Sequence, residues 1–136
     1  MHVSAKADYA VRALLLLAQH APEVVKVEQL AVEQDLPQQY AEGILNDLRK
    51  LGFVTSRRGA HGGYSLAREA GEIAVGDVVR GLDGPLVTVR AVPPGRLTYD
   101  GVARHLPALW ELTDQRLREV LDGVTLDDLL RGAVGA

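Results

Sequence analysis

The residue pattern predicts a mainly α-helical fold with one small β-hairpin, and three observations carry that reading. Apolar residues recur at steps of three and four through several stretches, the signature of helices with one buried face. A single glycine-rich tract, RRGAHGG at Arg57–Gly63, separates two short strand-like runs. The chain has 136 residues, 47% apolar and 24% charged, which suits one compact domain plus one extra element.

The elements follow in order. Tyr9–Ala10 begin an apolar face that Leu14, Leu15 and Ala18 continue, so about Ser4 to His20 reads as a buried helix. Ser4 is its expected N-cap, and Ala21–Pro22 ends it. Val27, Leu30 and Ala31 predict a short second helix running to about Gln34, with Asp35 at a tight turn. Pro37 suits the first turn of a third helix, where its missing N–H has no partner to lose. Leu36, Tyr40, Ile44, Leu48 and Leu51 form that helix's apolar stripe, and Gly52 closes it. Gln38, Gln39, Glu42, Asn46, Arg49 and Lys50 are left on its outer face.

The runs Phe53–Ser56 and Tyr64–Leu66 then predict a β-hairpin with a long, basic, flexible tip. Val75, Val78, Val79 and Leu82 predict a fourth helix, broken at Gly84–Pro85. Leu86–Leu97, with Pro93, Pro94 and Gly95, reads as an extended connector. A long amphipathic helix over Leu106–Leu121 follows, then a short one over Val124–Leu130. Thr125 with Asp128 three residues on is an acidic variant of the capping box. The expected division is residues 1–84 as the hairpin-bearing domain and residues 85–136 as connector and long-helix region.

Composition excludes several function classes. With no cysteine, the chain can form no disulfide, thiolate zinc site, all-cysteine iron–sulphur site or cysteine nucleophile. His2, His20, His61 and His105 are scattered and lack metal-ligand spacing, so neither a metal nor a cofactor is expected. No Ser/His/Asp set, paired-carboxylate motif or phosphate loop is recognisable, so the chain does not read as an enzyme. No run approaches the roughly 18 apolar residues of a membrane span. The stretch Ala13–Ala18 lacks the layout of a secretory signal, and a cytoplasmic protein without membrane contact is expected.

The net charge of −3 is unevenly spread. Residues 1–68 carry 8 Lys and Arg against 7 Asp and Glu, whereas residues 69–136 carry 7 against 11. Residues 49–68 hold Arg49, Lys50, Arg57, Arg58 and Arg68 and no acid, and a local basic stripe matters more to phosphate than the whole-chain sum. Helix, short helix, tight turn, polar-faced helix and basic hairpin form the order of a winged helix-turn-helix. Gln38 and Gln39 could pair with adenine and Glu42 accept from cytosine. The hairpin tip, with Arg57, Arg58, Gly59 and His61, could lie along the backbone or in a narrow minor groove. A charged solvated surface explains each feature alone; their order points to double-stranded DNA. The competing reading is an interaction module whose helix-turn-helix docks a protein partner, but such a surface has no need to exclude carboxylates from its hairpin.

SAKADYAVRALLLLA (Ser4–Ala18), QQYAEGILNDLRKLGFV (Gln38–Val54), RRGAHGGYSLAR (Arg57–Arg68), IAVGDVVRGLDGPL (Ile73–Leu86) and LWELTDQRL with VTLDDL (within Leu109–Leu129) resemble the IscR/NsrR/CymR-type (Rrf-type) family of bacterial winged-helix regulators. The RGxxGGY motif at Arg58–Tyr64 and the start at Lys6–Ala13 are its more specific marks. The resemblance implies a homodimer built on the long C-terminal helix, palindromic operators and usually repression. It places base- and groove-contacting roles on Gln39, Tyr40, Glu42 and Arg58, Tyr40 being divided between the core and a phosphate. It also marks a departure. Sensing members carry three cysteines before the long helix, and Leu86 to Pro107 holds none here, with His105 the one soft ligand nearby. Asp8, where some relatives place a cluster ligand, reads as a surface carboxylate. The signal is left to a small-molecule effector, a protein partner or neither.

Overall fold

The computed structural model describes residues 1–135. Helix α1 (Ala5–His20) is the centre of the molecule and buries Ala7, Ala10, Ala13, Leu14, Leu16 and Leu17. Ser4 caps it as expected, its Oγ accepting the Ala7 N–H at 3.0 Å. The Asp83 carboxylate accepts both the Ser4 N–H (3.0 Å) and the Ser4 hydroxyl (2.5 Å), so the cap is tied to a site 79 residues away.

Helix α2 (Val27–Gln34) ends on Asp35, whose φ of 53° turns the chain sharply. Aspartate tolerates this left-handed conformation better than most side chains. Helix α3 (Gln38–Lys50) begins one residue later than expected. Pro37 stands extended just before the first turn, and its carbonyl accepts the Ala41 N–H at 3.1 Å. Gly52 closes α3 at φ 86°. The Gly52 N–H donates to the Arg49 carbonyl (3.0 Å) and the Phe53 N–H to the Leu48 carbonyl (2.9 Å), the paired bonds of a Schellman motif.

That cap also explains why the hairpin starts at Val54 and not at Phe53, whose N–H belongs to the helix end. Strands β1 (Val54–Arg57) and β2 (Gly63–Leu66) pair antiparallel with Val54 opposite Leu66 and Arg57 opposite Gly63. Val25, between α1 and α2, exchanges two 2.8 Å backbone hydrogen bonds with Tyr64 and anchors the hairpin base to the body. A Cβ on Gly63 would come within 2.5 Å of the Val25 carbonyl oxygen, so this close approach requires glycine.

Helix α4 (Val75–Asp83) packs on α1 and α5. The connector is not extended throughout, contrary to expectation. Val89 and Val92 exchange backbone hydrogen bonds of 2.8 and 3.0 Å around Arg90 (φ 50°) and Ala91 (φ 65°). Single 3-10 turns follow at Pro94–Arg96 and Gly101–Ala103. Leu86, Val87 and Pro94 are buried along this path, and buried backbone must find partners, which the turns supply.

Helix α5 (Leu106–Asp122) leads to α6 (Leu126–Arg131), whose capping box forms as expected. The Thr125 hydroxyl accepts the Asp128 N–H (3.1 Å), and the Asp128 carboxylate accepts the Thr125 N–H (3.0 Å). Two backbone bonds, Val75 N–H to the Val124 carbonyl (2.9 Å) and Leu126 N–H to the Ile73 carbonyl (3.0 Å), stitch this end to the start of α4. Leu126 is fully buried beside Leu14, Leu17, Leu30, Ile44, Leu45, Leu48 and Ile73. Each such side chain stabilises the fold by about 1.5–3 kcal/mol of transfer free energy. At the α4–α5 junction, one Arg80 nitrogen donates to Asp122 (2.7 Å) and Asp77 (2.9 Å). Gly76 leaves the room that the Asp122 carboxylate occupies.

Candidate nucleic-acid interface

Helix α3 divides cleanly. Ala41, Ile44, Leu45 and Leu48 are buried, and α2 packs against the same helix to complete the helix-turn-helix pair. Gln38, Gln39, Glu42, Arg49 and Lys50 are exposed. Gln38 donates its amide to Glu28 of α2 (3.3 Å), so its side chain is already engaged. Arg49 donates to the Asn46 side chain at 2.9 Å. Glu42 faces solvent, as does Gly43, where an added Cβ would meet nothing within 4 Å.

Tyr40 belongs by spacing to the apolar stripe, with a role divided between core and phosphate. It is 39% exposed, and its ring meets the Tyr9 ring edge-on with centroids 6.0 Å apart. The Arg12 guanidinium lies 5.0 Å above Tyr9. Tyr40 thus packs against Tyr9 of α1 while about two-fifths of it stays open to solvent. Leu51, the last member of the stripe, is 40% exposed and lies over Gly81 of α4.

The hairpin tip presents Arg57, Arg58, Gly59, Ala60 and His61, all exposed. Gly59 takes φ 101°, and its carbonyl accepts the Gly62 N–H at 2.9 Å, which folds the tip back. A side chain at Gly62 would strike the Arg57 carbonyl, so Gly62 lets the wing close tightly while Gly63 lets its base approach Val25. Among the described residues, no carboxylate forms an ion pair with Lys50, Arg57 or Arg58. Their charges are free for phosphate.

One feature of this region has no signal in the sequence. A groove of about 530 Å³ runs along α3 beside the start of α1, lined by Lys6, Gln39, Tyr40, Gly43, Asn46 and Asp47 among others. Lys6 of α1 and Asp47 of α3 form an ion pair across it. The two residues are 41 positions apart, and no local pattern announces their meeting.

The donors for a thiolate-held cluster are missing. The sequence contains no cysteine, and among the described residues no three His, Asp or Glu side chains gather as a metal site. Asp8 is exposed and paired with Arg12 at 2.9 Å, and His105 is exposed. These groups do not fit such a cluster. No described helix is long and apolar enough to cross a membrane.

Comparison with known proteins agrees with this geometry. Residues 3–132 match the Rrf2 family, described as iron-dependent transcriptional regulators. Rv1287 of Mycobacterium tuberculosis (strain H37Rv) is 44% identical over 135 residues, covering 98% of this chain and 84% of that protein. The HTH-type transcriptional regulator CymR of Bacillus subtilis is 34% identical over 130 residues, covering 95% and 89%. Among solved structures, IscR of T. potens superposes with a TM-score of 0.77 at 39% identity, covering 98% of this chain and 88% of that one. The helical body, the two-stranded wing and a match across nearly the whole chain agree: the protein belongs to the Rrf2 family of DNA-binding transcriptional regulators.

Proposed function

We propose that this DNA-binding regulator works as a homodimer on a palindromic operator, where it represses transcription, and that its signal does not arrive through a cysteine-ligated cluster. The observation that carries the dimer is the bare face of α5. Leu109, Leu112 and Val120 are 52%, 46% and 63% exposed, and Leu106 adds to them. Four large apolar side chains left this open on one helix are best covered by a partner. A two-fold dimer covers the same patch on both copies and presents two copies of α3, so its operator repeats as an inverted pair.

Within each half-site, Gln39 and Glu42 read base edges in the major groove and Tyr40 reaches a phosphate. Arg57, Arg58 and His61 lay the wing on the backbone or in the minor groove, and Arg49 and Lys50 add phosphate contacts. Repression is the usual mode of the family. With no thiolate, what remains is a small-molecule effector, a protein partner or no ligand at all.

Selection of bound fragments from genomic DNA would supply the operator, and sedimentation equilibrium at micromolar concentration tests the dimer. A monomer that still binds the operator with full affinity would overturn the two-fold reading. Arg58→Ala should weaken binding to operator and scrambled duplex alike. It should also flatten the slope of log K against log salt by roughly 0.9 for each phosphate that the wing no longer neutralises. An unchanged slope and affinity would remove the wing from the interface and favour a protein-docking role for this surface.

A further inference from the structure

The groove between α1 and α3 holds a cation that is neutralised at home. Lys6 and Asp47 pair across it while both remain accessible, with side chains 43% and 34% exposed. Around them stand other groups able to donate: the amide of Gln39, the partly exposed Tyr40 hydroxyphenyl ring and Asn46. Gly43 leaves the floor open, with nothing within 4 Å of where a side chain would begin. Asn46 is in turn held by Arg49, whose guanidinium donates to the Asn46 side-chain oxygen at 2.9 Å. The groove is therefore rich in donors, open along its length, and carries one carboxylate that a bound anion would oppose.

The position decides which anion. A helix inserted in the major groove is flanked by the two sugar-phosphate backbones that form the groove walls. The trough shares Gln39 with the base-reading face of α3 and reaches from there to Lys6 and Asp47 at its α1 side, the side that would flank the bases and meet one of those walls. We infer that the Lys6–Asp47 groove seats a backbone phosphate of the operator half-site, Lys6 exchanging Asp47 for the phosphate, so that Asp47 holds DNA affinity down. This rests on the reading of α3 as the major-groove helix. Asp47 then competes with DNA for one lysine in each subunit, and it stays behind as an unpaired carboxylate next to the bound strand.

A thermodynamic cycle tests it, using the full chain with Asp47→Asn, Lys6→Gln and the double variant. Binding is followed by fluorescence anisotropy on a short mixed-sequence duplex and on a selected genomic fragment, across a potassium chloride series. Asp47→Asn should tighten binding to both duplexes by about 1.4- to 5-fold per subunit, the range of an exposed ion pair. Its salt slope should stay near the wild-type value, since Lys6 keeps its phosphate, whereas Lys6→Gln should flatten the slope by roughly 0.9 per phosphate lost. Lys6→Gln should weaken binding, and in that background Asp47→Asn should confer no gain. A pair that only braces α1 against α3 predicts the reverse: Asp47→Asn lowers the melting temperature and weakens binding. That result overturns the inference. So does an Asp47→Asn gain of equal size with and without Lys6, which would mark Asp47 as a general repulsive charge. If the wild-type protein binds neither duplex at low salt, the reading of α3 as a DNA-binding helix fails first and the phosphate seat falls with it.

Discussion

Helices α3 and α5 are both amphipathic, yet they meet opposite fates. The 13-residue α3 buries Ala41, Ile44, Leu45 and Leu48 and turns amides and charges outward. The 17-residue α5 buries only Pro107 and Asp114, and leaves Leu106, Leu109, Leu112 and Val120 open. An apolar face satisfied within the chain frees the polar face for a polar ligand. An apolar face left open calls for a second apolar surface, because about 25 cal/mol is lost for every Å² kept in water. The contrast supports the proposal that α3 serves DNA and α5 a second protein chain, and the same rule separates the two without reference to any relative.

The contrast can be broken most directly in the core. Leu45, 1% exposed, is expected to cost about 2–5 kcal/mol on truncation to alanine, read as a shift in the urea midpoint. Leu109→Ala, at a site 52% exposed in the single chain, should leave the fold of each subunit nearly unchanged, within about 0.5 kcal/mol. Its effect should instead be a melting temperature that is lower at a given protein concentration and depends less steeply on that concentration than the wild type's, because the weaker dimer is less populated. Equal losses from the two truncations, with no concentration dependence, would dissolve the distinction between a home-packed and an open face.

A smaller effect sharpens the polar side. Gln39→Ala and Glu42→Ala should each lower affinity for the operator by about 1–3 kcal/mol without weakening binding to scrambled duplex, which Glu42→Ala can even tighten by removing a carboxylate that phosphates repel, as measured by competitive binding. Weaker binding to both sequences would mean that these residues touch backbone and not bases.

Smaller again is the cap on α6. Thr125→Ala should cost about 0.5–2 kcal/mol in thermal unfolding, because the Asp128 N–H loses its acceptor. Acid provides the weakest test. The Thr125 backbone N–H, and then its hydroxyl and Arg131, hold the Asp128 carboxyl below its ordinary value. Its contribution is therefore complete above the unfolded aspartate pKa of about 3.9 and disappears as pH falls through the lower folded value. Unfolding midpoints between pH 5 and 2 (on the order of the range where aspartates titrate) should fall less steeply for Asp128→Asn than for the wild-type chain. Parallel curves would show the box to be energetically idle.

Most of the fold was legible because its signals are local. Ser4, Asp35, Gly52 and the Thr125–Asp128 pair each act within a few residues of themselves, and each forms the predicted cap or turn. Tyr40 and Leu51 keep the helical step yet stand half open, since periodicity reports which face a residue shares and not how much of it is covered. The connector misleads for a related reason. Pro93, Pro94 and Gly95 break helices, but whether the chain then extends or folds into turns depends on what it is buried against, here Leu86, Val87 and Pro94. At the interface, the basic wing and the polar face of α3 were readable as charge and period. The Lys6–Asp47 groove and the Ser4–Asp83 tie were not, because they join residues 41 and 79 positions apart through tertiary packing alone.

The burial of Leu126 has a consequence for how the protein is made. Chains are synthesised from the N-terminus, and a domain that finishes early folds while the rest is still being added. Here the interior around α1 is closed by a side chain of α6, and the backbone bonds from Ile73 and Val75 wait for Leu126 and Val124. The helix-turn-helix pair is translated early but has an open wall until α6 arrives. A ribosome stalled short of residue 126 would hold a DNA-reading surface with no finished core behind it. Completion of the core behind α2 and α3 is thereby coupled to synthesis beyond the wing and the long helix.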